Sequence, residues 1–273
     1  MTDEYQPGAG PGNGRTGPMT SQPALTRPAA RLAARFGGTK GMRSFGRTIR
    51  AAVIGASGGI GGAIAARLAA DPDVAEVLAF SRSAEAGRRI DVTDEASVAA
   101  AAAGAGPLDL VVVATGLLHR PGLSPEKDMR ALALGPLVES FTVNAAGPAL
   151  VAKHFLPLLP REGKAVFAAL SARVGSIEDN AVGGWHGYRA SKAALNMLLK
   201  CLAIELARKR REQIVLALQP GTVDTELSRP FQAGAKTLMR PADSATALLD
   251  VIDAATPEWS GGLYDWRGAR LPY

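Results

Sequence analysis

Tyr188 and Lys192 stand four residues apart in "WHGYRASKAAL", which places both side chains on one face of any helix that contains them. A phenol and an ammonium in that register can share a small ligand or shift each other's proton affinity, so the pair could move a proton. The same spacing also suits a lysine whose stem packs along a tyrosine ring while its charge reaches water. A second group of residues narrows the choice. "VIGASGGIGGAIAARLAA" spaces Gly55, Gly59 and Gly61 as G-x-x-x-G-x-G. Glycine allows a tight turn and a close approach of backbone to phosphate, and a helix N-terminus adds free N–H groups and a positive dipole end. Such a loop signifies nucleotide binding when a strand precedes it and a helix follows.

The surrounding pattern supplies that context. From residue 49 onward, apolar strand-like runs alternate with alanine-rich helical stretches, the rhythm of a parallel sheet crossed by helices. Strands are expected near 49–55, 74–81, 88–92, 108–115, 164–170, 213–219 and 261–266, and the glycine loop joins the first of them to the first helix. No repeat or second linker interrupts the series. Residues 49–273 therefore form one doubly wound α/β domain of Rossmann type, with helices on both faces. Residues 1–48 are rich in Gly, Pro and Arg without apolar periodicity, and read as a disordered extension. No apolar core of a secretory signal follows the start. "RLAARFGG" imitates part of a transit peptide, but Asp3 and Glu4 argue against one, and Met42 offers a second translation start just before the first strand.

Charge is distributed in two blocks. Residues 1–50 hold eight Lys or Arg against two Asp or Glu, which leaves 23 of each sign in the remainder. The pI of 9.7 thus belongs to the extension, and a polyanion-binding core is not indicated. A basic arm retains at most weak, salt-sensitive contacts with nucleic acid. No apolar run approaches the roughly 20 residues that span a bilayer, so a soluble cytoplasmic protein is expected. Cys201 is the single cysteine; lying in an apolar helical stretch, it reads as a buried small hydrophobe. His119 and His154 have no metal-ligand spacing with cysteine or clustered acids, so no metal site is expected. His186, beside Trp185, precedes Tyr188 by two residues, and a substrate contact and an exposed loop position are equally good readings of it.

The residue after the second strand bears on cofactor choice. An acid about 20 residues beyond the glycine loop normally receives the ribose hydroxyls of NAD; this chain offers Ser81 and Arg82. Without a carboxylate a 2'-phosphate is not repelled, and a guanidinium provides paired donors for it. NADP(H) is favoured, with NAD(H) as the alternative. Asn144 lies in the otherwise apolar helical stretch "VESFTVNAAGPALVAKHFLPLL", and a buried amide there must find hydrogen-bond partners.

Taken in order, the glycine loop, Asp91 in "IDVTD", the "ATG" at 114–116, Asn144 in "TVNAAGP", "YRASK" and "QPGTVDT" resemble the short-chain dehydrogenase/reductase superfamily. "LSARVGSI", "GGWHGYRASKAALN" and "YDWRG" are similar to its bacterial C-factor branch. The resemblance spans residue 49 to the C-terminus and implies a seven-stranded parallel sheet of order 3-2-1-4-5-6-7. It further implies an oxidoreductase moving hydride between NAD(P) and a carbonyl or alcohol, with Tyr188 as general acid/base. Lys192 would hold the nicotinamide ribose and, as a neighbouring cation, lower the tyrosine pKa from about 10. Asn144 would hold a helix distortion and a water leading to the lysine. Cofactor contacts implied alongside Gly55, Gly59, Gly61, Ser81 and Arg82 are Ser57, Ile60, Asp91 at the adenine, Val92, Ala114, Thr115 and Gly116. Pro220, Gly221, Val223 and Thr225 complete them at the carboxamide.

The serine departs from the pattern. Relatives read Ser-Ser-x-x-Gly, and the second serine polarises the carbonyl; this chain has Ala172 at that place. Ser171 is taken as the catalytic serine through a local bulge, with Ser176 or loss of the hydroxyl as alternatives. A nucleotide-binding signalling protein with little catalysis is the second functional reading. Both long helices are apolar over more than one stripe, which predicts a homodimer or homotetramer.

Overall fold

The computed structural model describes residues 41–210, 212–235 and 237–273; residues 1–40, most of the segment expected to be disordered, lie outside the described residues. Residues 41–48, grouped with that segment by composition, belong to the folded unit. Met42 is 1% exposed and Phe45 4% exposed, and both pack beneath the first strand. They do so because the short apolar pair caps an otherwise open end of one core layer.

The chain runs β1 (Ile49–Ile54), α1 (Gly59–Ala69), β2 (Val74–Phe80), α2 (Glu95–Ala103) and β3 (Leu110–Val113). It continues through α3 (Leu134–Phe141), a π-helical turn (Thr142–Ala146), α4 (Gly147–Phe155), β4 (Ala165–Leu170) and α5 (His186–Ala207). β5 (Gln213–Gln219), α6 (Pro241–Ala254), β6 (Gly262–Asp265) and β7 (Arg270–Leu271) complete it. One sheet results, with neighbours β2-β1-β3-β4-β5-β6-β7. The pairs are parallel except the last, where β7 runs antiparallel to β6.

The expected strand at 88–92 shrinks to a single parallel bridge, Ser81 to Arg89, outside β2. Counting that bridge as the outermost position gives the expected winding, 3-2-1-4-5-6-7. The bridge does not extend because Asp91 turns its carboxylate onto the N–H of Thr93 at 2.9 Å. That local turn directs the chain away from the sheet toward α2, whose N-cap is Asp94 accepting from Ala96 N–H.

Buried on both faces, β1 reads as a continuous apolar run, as interior parallel strands do. Ala52 and Ile54 enter the layer covered by α2, α4 and α5, while Ile49, Ala51 and Val53 enter the layer covered by α1 and α6. β1 pairs with β2 on one side and β3 on the other, so the winding reverses at its C-terminal end. In doubly wound sheets, that reversal opens a crevice for ligand.

α5 has 22 residues, about 33 Å at 1.5 Å per residue, and buries Leu195, Leu199 and Ala203 on the face toward the sheet. Cys201 lies on the opposite face and is exposed rather than buried, correcting the expectation from its apolar neighbours. Met197, Leu198 and Ile204 on the same helix are exposed too, as are Leu134, Val138 and Phe141 on α3 beside it. Among the described residues, no helix is long and apolar enough to cross a membrane.

Candidate active site

The glycine loop leaves β1 and enters α1 within four residues. Gly58 N–H closes the turn on the Gly55 carbonyl at 3.0 Å. A side chain at Gly61 would run into that same carbonyl oxygen, so only glycine lets helix and loop meet this closely. The leading N–H groups of α1 have no intrahelical acceptor, and its first turn carries no acid. Both features favour an anion there.

A cavity of about 540 Å³ opens beside this terminus. Of the expected cofactor contacts, Gly55, Ser57, Ser81, Arg82, Asp91, Val92, Ala114, Thr115 and Gly116 line it; Gly59, Ile60 and Gly61 shape the helix behind. Thr115 Oγ1 is buried with no partner, a donor and acceptor left over at the cavity wall. Arg82 enters no ion pair among the described residues, whereas Arg88 is engaged with Glu76. Asp91 is held below the usual carboxylate range, chiefly by the Thr93 hydroxyl and N–H, with Arg82 and Arg89 adding to the effect. It does not cap α2, a duty performed by Asp94, so its outer oxygen is available to the cavity.

The "QPGTVDT" loop behaves differently from expectation. Pro220 offers its carbonyl to Ser244, Gly221 borders a second, smaller cavity, Val223 is buried in a bridge to Met239, and the Thr225 methyl packs toward Gly59. None of the four lines the main cavity; Glu226 and Leu227, two residues further along, do. Leu117, His119 and Val143 also line the cavity without a signal in their residue types, although Val143 adjoins Asn144.

Asn144 is fully buried and holds three structures together. Its Oδ1 accepts from Leu117 N–H at 2.7 Å, and its Nδ2 donates to the Leu117 carbonyl at 2.8 Å and to Ser191 Oγ at 3.1 Å. Ser191 Oγ in turn donates to the Tyr188 carbonyl. The helix around Asn144 widens to a π turn, closed by Gly147 N–H on Thr142 O. Such an insertion is a known way for a helix to redirect a side chain.

Tyr188 and Lys192 do share one face of α5, with Lys192 Nζ 5.8 Å from the Tyr188 ring centroid. Lys192 is 3% exposed, and its ammonium donates to the Leu170 carbonyl at the end of β4, 2.8 Å away. It also lies beside Gly116, at the cavity edge. Burial lowers its pKa to about 8. Burial likewise pushes the Tyr188 phenol up to about 12. This reverses the direction expected from a neighbouring cation. Loss of water dominates, because the ammonium is committed to a carbonyl and faces the ring rather than standing as a free charge beside the phenol.

Ser171 does not complete this pair. Its hydroxyl is buried and donates to Asn196 Oδ1 at 2.6 Å, one helical turn beyond Lys192. Ser176 Oγ is likewise buried and accepts from Asp179 N–H. Neither hydroxyl bonds Tyr188, and Ala172, which follows Ser171 in the chain, is half-buried. The expected bulge is absent: Ser171 N–H continues the β4 ladder to Leu218 O, so its side chain turns into the core. His186 opens α5 and is half-buried. No group of three His, Cys, Asp or Glu among the described residues has a metal-binding arrangement.

Residues 50–236 match the family model for short chain dehydrogenases. The chain is 36% identical over 137 residues to the C-signal protein of Myxococcus xanthus, covering 50% of this chain and 78% of that one. It is 33% identical over 201 residues to 1-hydroxy-2-glutathionyl-2-methyl-3-butene dehydrogenase of Rhodococcus sp. (strain AD45), covering 74% and 85% respectively. The fold superposes on an NADPH-bound carbonyl reductase from chicken fatty liver with a TM-score of 0.72 and 24% identity, over 86% of this chain and all of the other.

Burial of Lys192 has a direct consequence. Its side-chain NMR signal in the ligand-free protein should titrate with a midpoint about 8, against about 10.4 for an exposed lysine. A midpoint above 10 would contradict the dry environment described above.

Proposed function

The chain belongs to the short-chain dehydrogenase family, and from that membership we propose an NADPH-preferring carbonyl reductase or alcohol dehydrogenase with Tyr188 as its general acid/base. The family makes it an NAD(P)-dependent oxidoreductase acting on CH–OH or C=O groups. The observation that carries the finer reading is the meeting of the 540 Å³ cavity with the buried Lys192 ammonium at Gly116, one helical turn from Tyr188.

The cavity fits a dinucleotide on its own features: an acid-free helix terminus, a loop tightened at Gly61, and the partnerless Thr115 hydroxyl. Arg82 and Ser81 would hold a 2'-phosphate, Asp91 an adenine amino group, and Lys192 the nicotinamide ribose. When bound, NADPH supplies the hydride. Tyr188 donates its proton to the substrate oxygen in the reductive direction and takes it back in the oxidative one. A phenol kept protonated by burial suits the first role, and Lys192 on the same helix face is the cation that would serve the phenolate left behind on releasing the Leu170 carbonyl. Asn144 keeps the first turn of α5 in register through Ser191. With Ser171 turned to Asn196 and Ala172 in the usual place of the second serine, the phenol is the chief donor to the substrate oxygen.

The displaced serine and the likeness to C-signal favour a second reading, a nucleotide-binding signalling protein with little turnover. Tyr188→Phe separates the two. The reductase reading requires kcat on a reactive dicarbonyl to fall about 10² to 10⁴-fold with NADPH affinity kept; tight NADPH binding with no turnover by the unaltered chain favours signalling. Arg82→Ala should weaken NADPH binding about tenfold or more and leave NADH nearly unchanged, read by fluorescence titration, since a charge-assisted pair with phosphate is worth about 1.5–3 kcal/mol. Equal effects on both cofactors would remove Arg82 from the 2'-phosphate. The exposed apolar side chains of α3 and α5 are assigned to self-association. Light scattering should report a dimer or tetramer at micromolar concentration, and a stable monomer would refute that assignment.

A further inference from the structure

Among the described residues, Trp185 is the sole non-glycine with positive φ, at 51°. A bulky residue costs energy there, and such strain persists only where its surroundings enforce it. Trp185 precedes α5 and occupies its N-cap position, yet its side chain cannot serve the free N–H groups of the first turn. Glu126, from the loop after β3, serves them instead. Its carbonyl accepts from Trp185 N–H at 2.6 Å and its buried carboxylate from Gly187 N–H at 3.1 Å. A Cβ at Gly187 would stand 2.9 Å from that carboxylate, so glycine makes room for it. Arg189 binds the carbonyls of Gly183 and Gly184 from the other side.

This clamp decides where the indole goes. The Trp185 ring meets Tyr188 edge-to-face at 6.3 Å and Phe231 at 5.0 Å, and Phe231 meets His119 at 5.6 Å. His119, fixed by the Glu226 carbonyl, lines the main cavity. A row of four half-buried rings therefore connects the cavity wall to the phenol. Three different segments contribute to it, and no charged side chain belongs to the row.

We propose that Trp185, Phe231 and His119 form an apolar subsite for an aromatic substituent of the substrate, with Trp185 as its specificity-determining residue. The proposal rests on the reading of Tyr188 as the proton donor, because the subsite is defined by its distance from that phenol. The substrate class is an aryl-bearing ketone or secondary alcohol whose ring stacks against the indole while its oxygen reaches Tyr188.

Trp185→Gly tests this cleanly, since glycine accepts a φ of 51° without strain and the clamp by Glu126 stays intact. With saturating NADPH, kcat/KM for 1-phenyl-1,2-propanedione should fall about tenfold or more, mostly through KM, an effect of the size expected for removing one ring contact and its buried area. The kcat/KM for 2,3-butanedione, which lacks the ring, should fall far less, so that the preference for the phenyl dione over butanedione drops about fivefold or more. Phe231→Ala should follow the same pattern. Equal losses on both diones, or none on either, would overturn the subsite.

Calorimetric titration of 1-phenylethanol into the NADPH-saturated protein reads the subsite without turnover. Binding by the unaltered protein that Trp185→Gly abolishes, with neither dione reduced, would uphold the subsite and sink the reductase reading. Reduction of butanedione with no binding of the phenyl alcohol and no preference for the phenyl dione would do the reverse. Absence of both binding and turnover of the phenyl probes would overturn the subsite as well.

Discussion

A buried carboxamide governs the centre of this molecule. Asn144 has no access to water, and leaving its amide unpaired would cost on the order of 1–3 kcal/mol for each stranded group. An ideal α-helix would present it differently to the neighbouring loop. The helix instead inserts a π turn at Thr142–Ala146, and the side chain reaches both backbone groups of Leu117 together with Ser191. One amide thereby ties the loop after β3, the α3–α4 connection and, at Ser191, the second turn of α5. The cavity wall at Gly116 and the Tyr188–Lys192 pair are held in mutual register by that knot. Loosening it would leave each element folded and the arrangement between them undefined.

Dryness sets the chemistry of the pair. Lys192 loses water and gains one carbonyl, Leu170, at the edge of the sheet. Its pKa falls to about 8, while the phenol rises to about 12 for the same reason. The two shifts bring a proton-loaded phenol and a readily titrated ammonium to the same helix face. A buried ammonium near its own pKa also responds strongly to any added hydroxyl or charge, because the surrounding dielectric is low.

Strain is concentrated where α5 begins. The helix starts without a capping side chain of its own, and the distant Glu126 replaces it. A carboxylate at a helix N-terminus is stabilised by the dipole of the helix behind it. That external cap makes the position of Trp185 dependent on the loop after β3, the same loop that Asn144 grips at Leu117. The segments proposed to meet substrate and cofactor therefore share a single support.

The fold was legible from the sequence because local rules suffice for it: β1 is apolar at nearly every residue, the glycines fall between strand and helix, and α5 carries its chemistry at i, i+4. The helical spacing also singled out Tyr188 and Lys192, and the glycine loop Gly55, while the family resemblance supplied Asn144, Asp91 and Ala114 to Gly116; fewer than half of the residues around the cavity were legible in this way. The sheet departs from the expected pattern at 88–92, where an Asp91–Thr93 turn outweighs strand propensity, and at its far edge, where the short strand Arg270–Leu271 pairs antiparallel with β6. What the sequence left open depends on contacts between segments far apart. Whether Ser171 faces substrate or core depends on the β4 ladder continuing to Leu218 O. Whether Tyr188 is more or less acidic depends on how much water the packing of α5 excludes. The roles of Glu126, His119 and Phe231 had no signature at all, since a carboxylate, an imidazole and a phenyl ring become a clamp and a rim only when three loops converge. Residue type and spacing determined the architecture and the proposed reacting groups; tertiary burial decided their protonation, their partners and the shape of the space before them, because desolvation and long-range hydrogen bonds are properties of the packed chain.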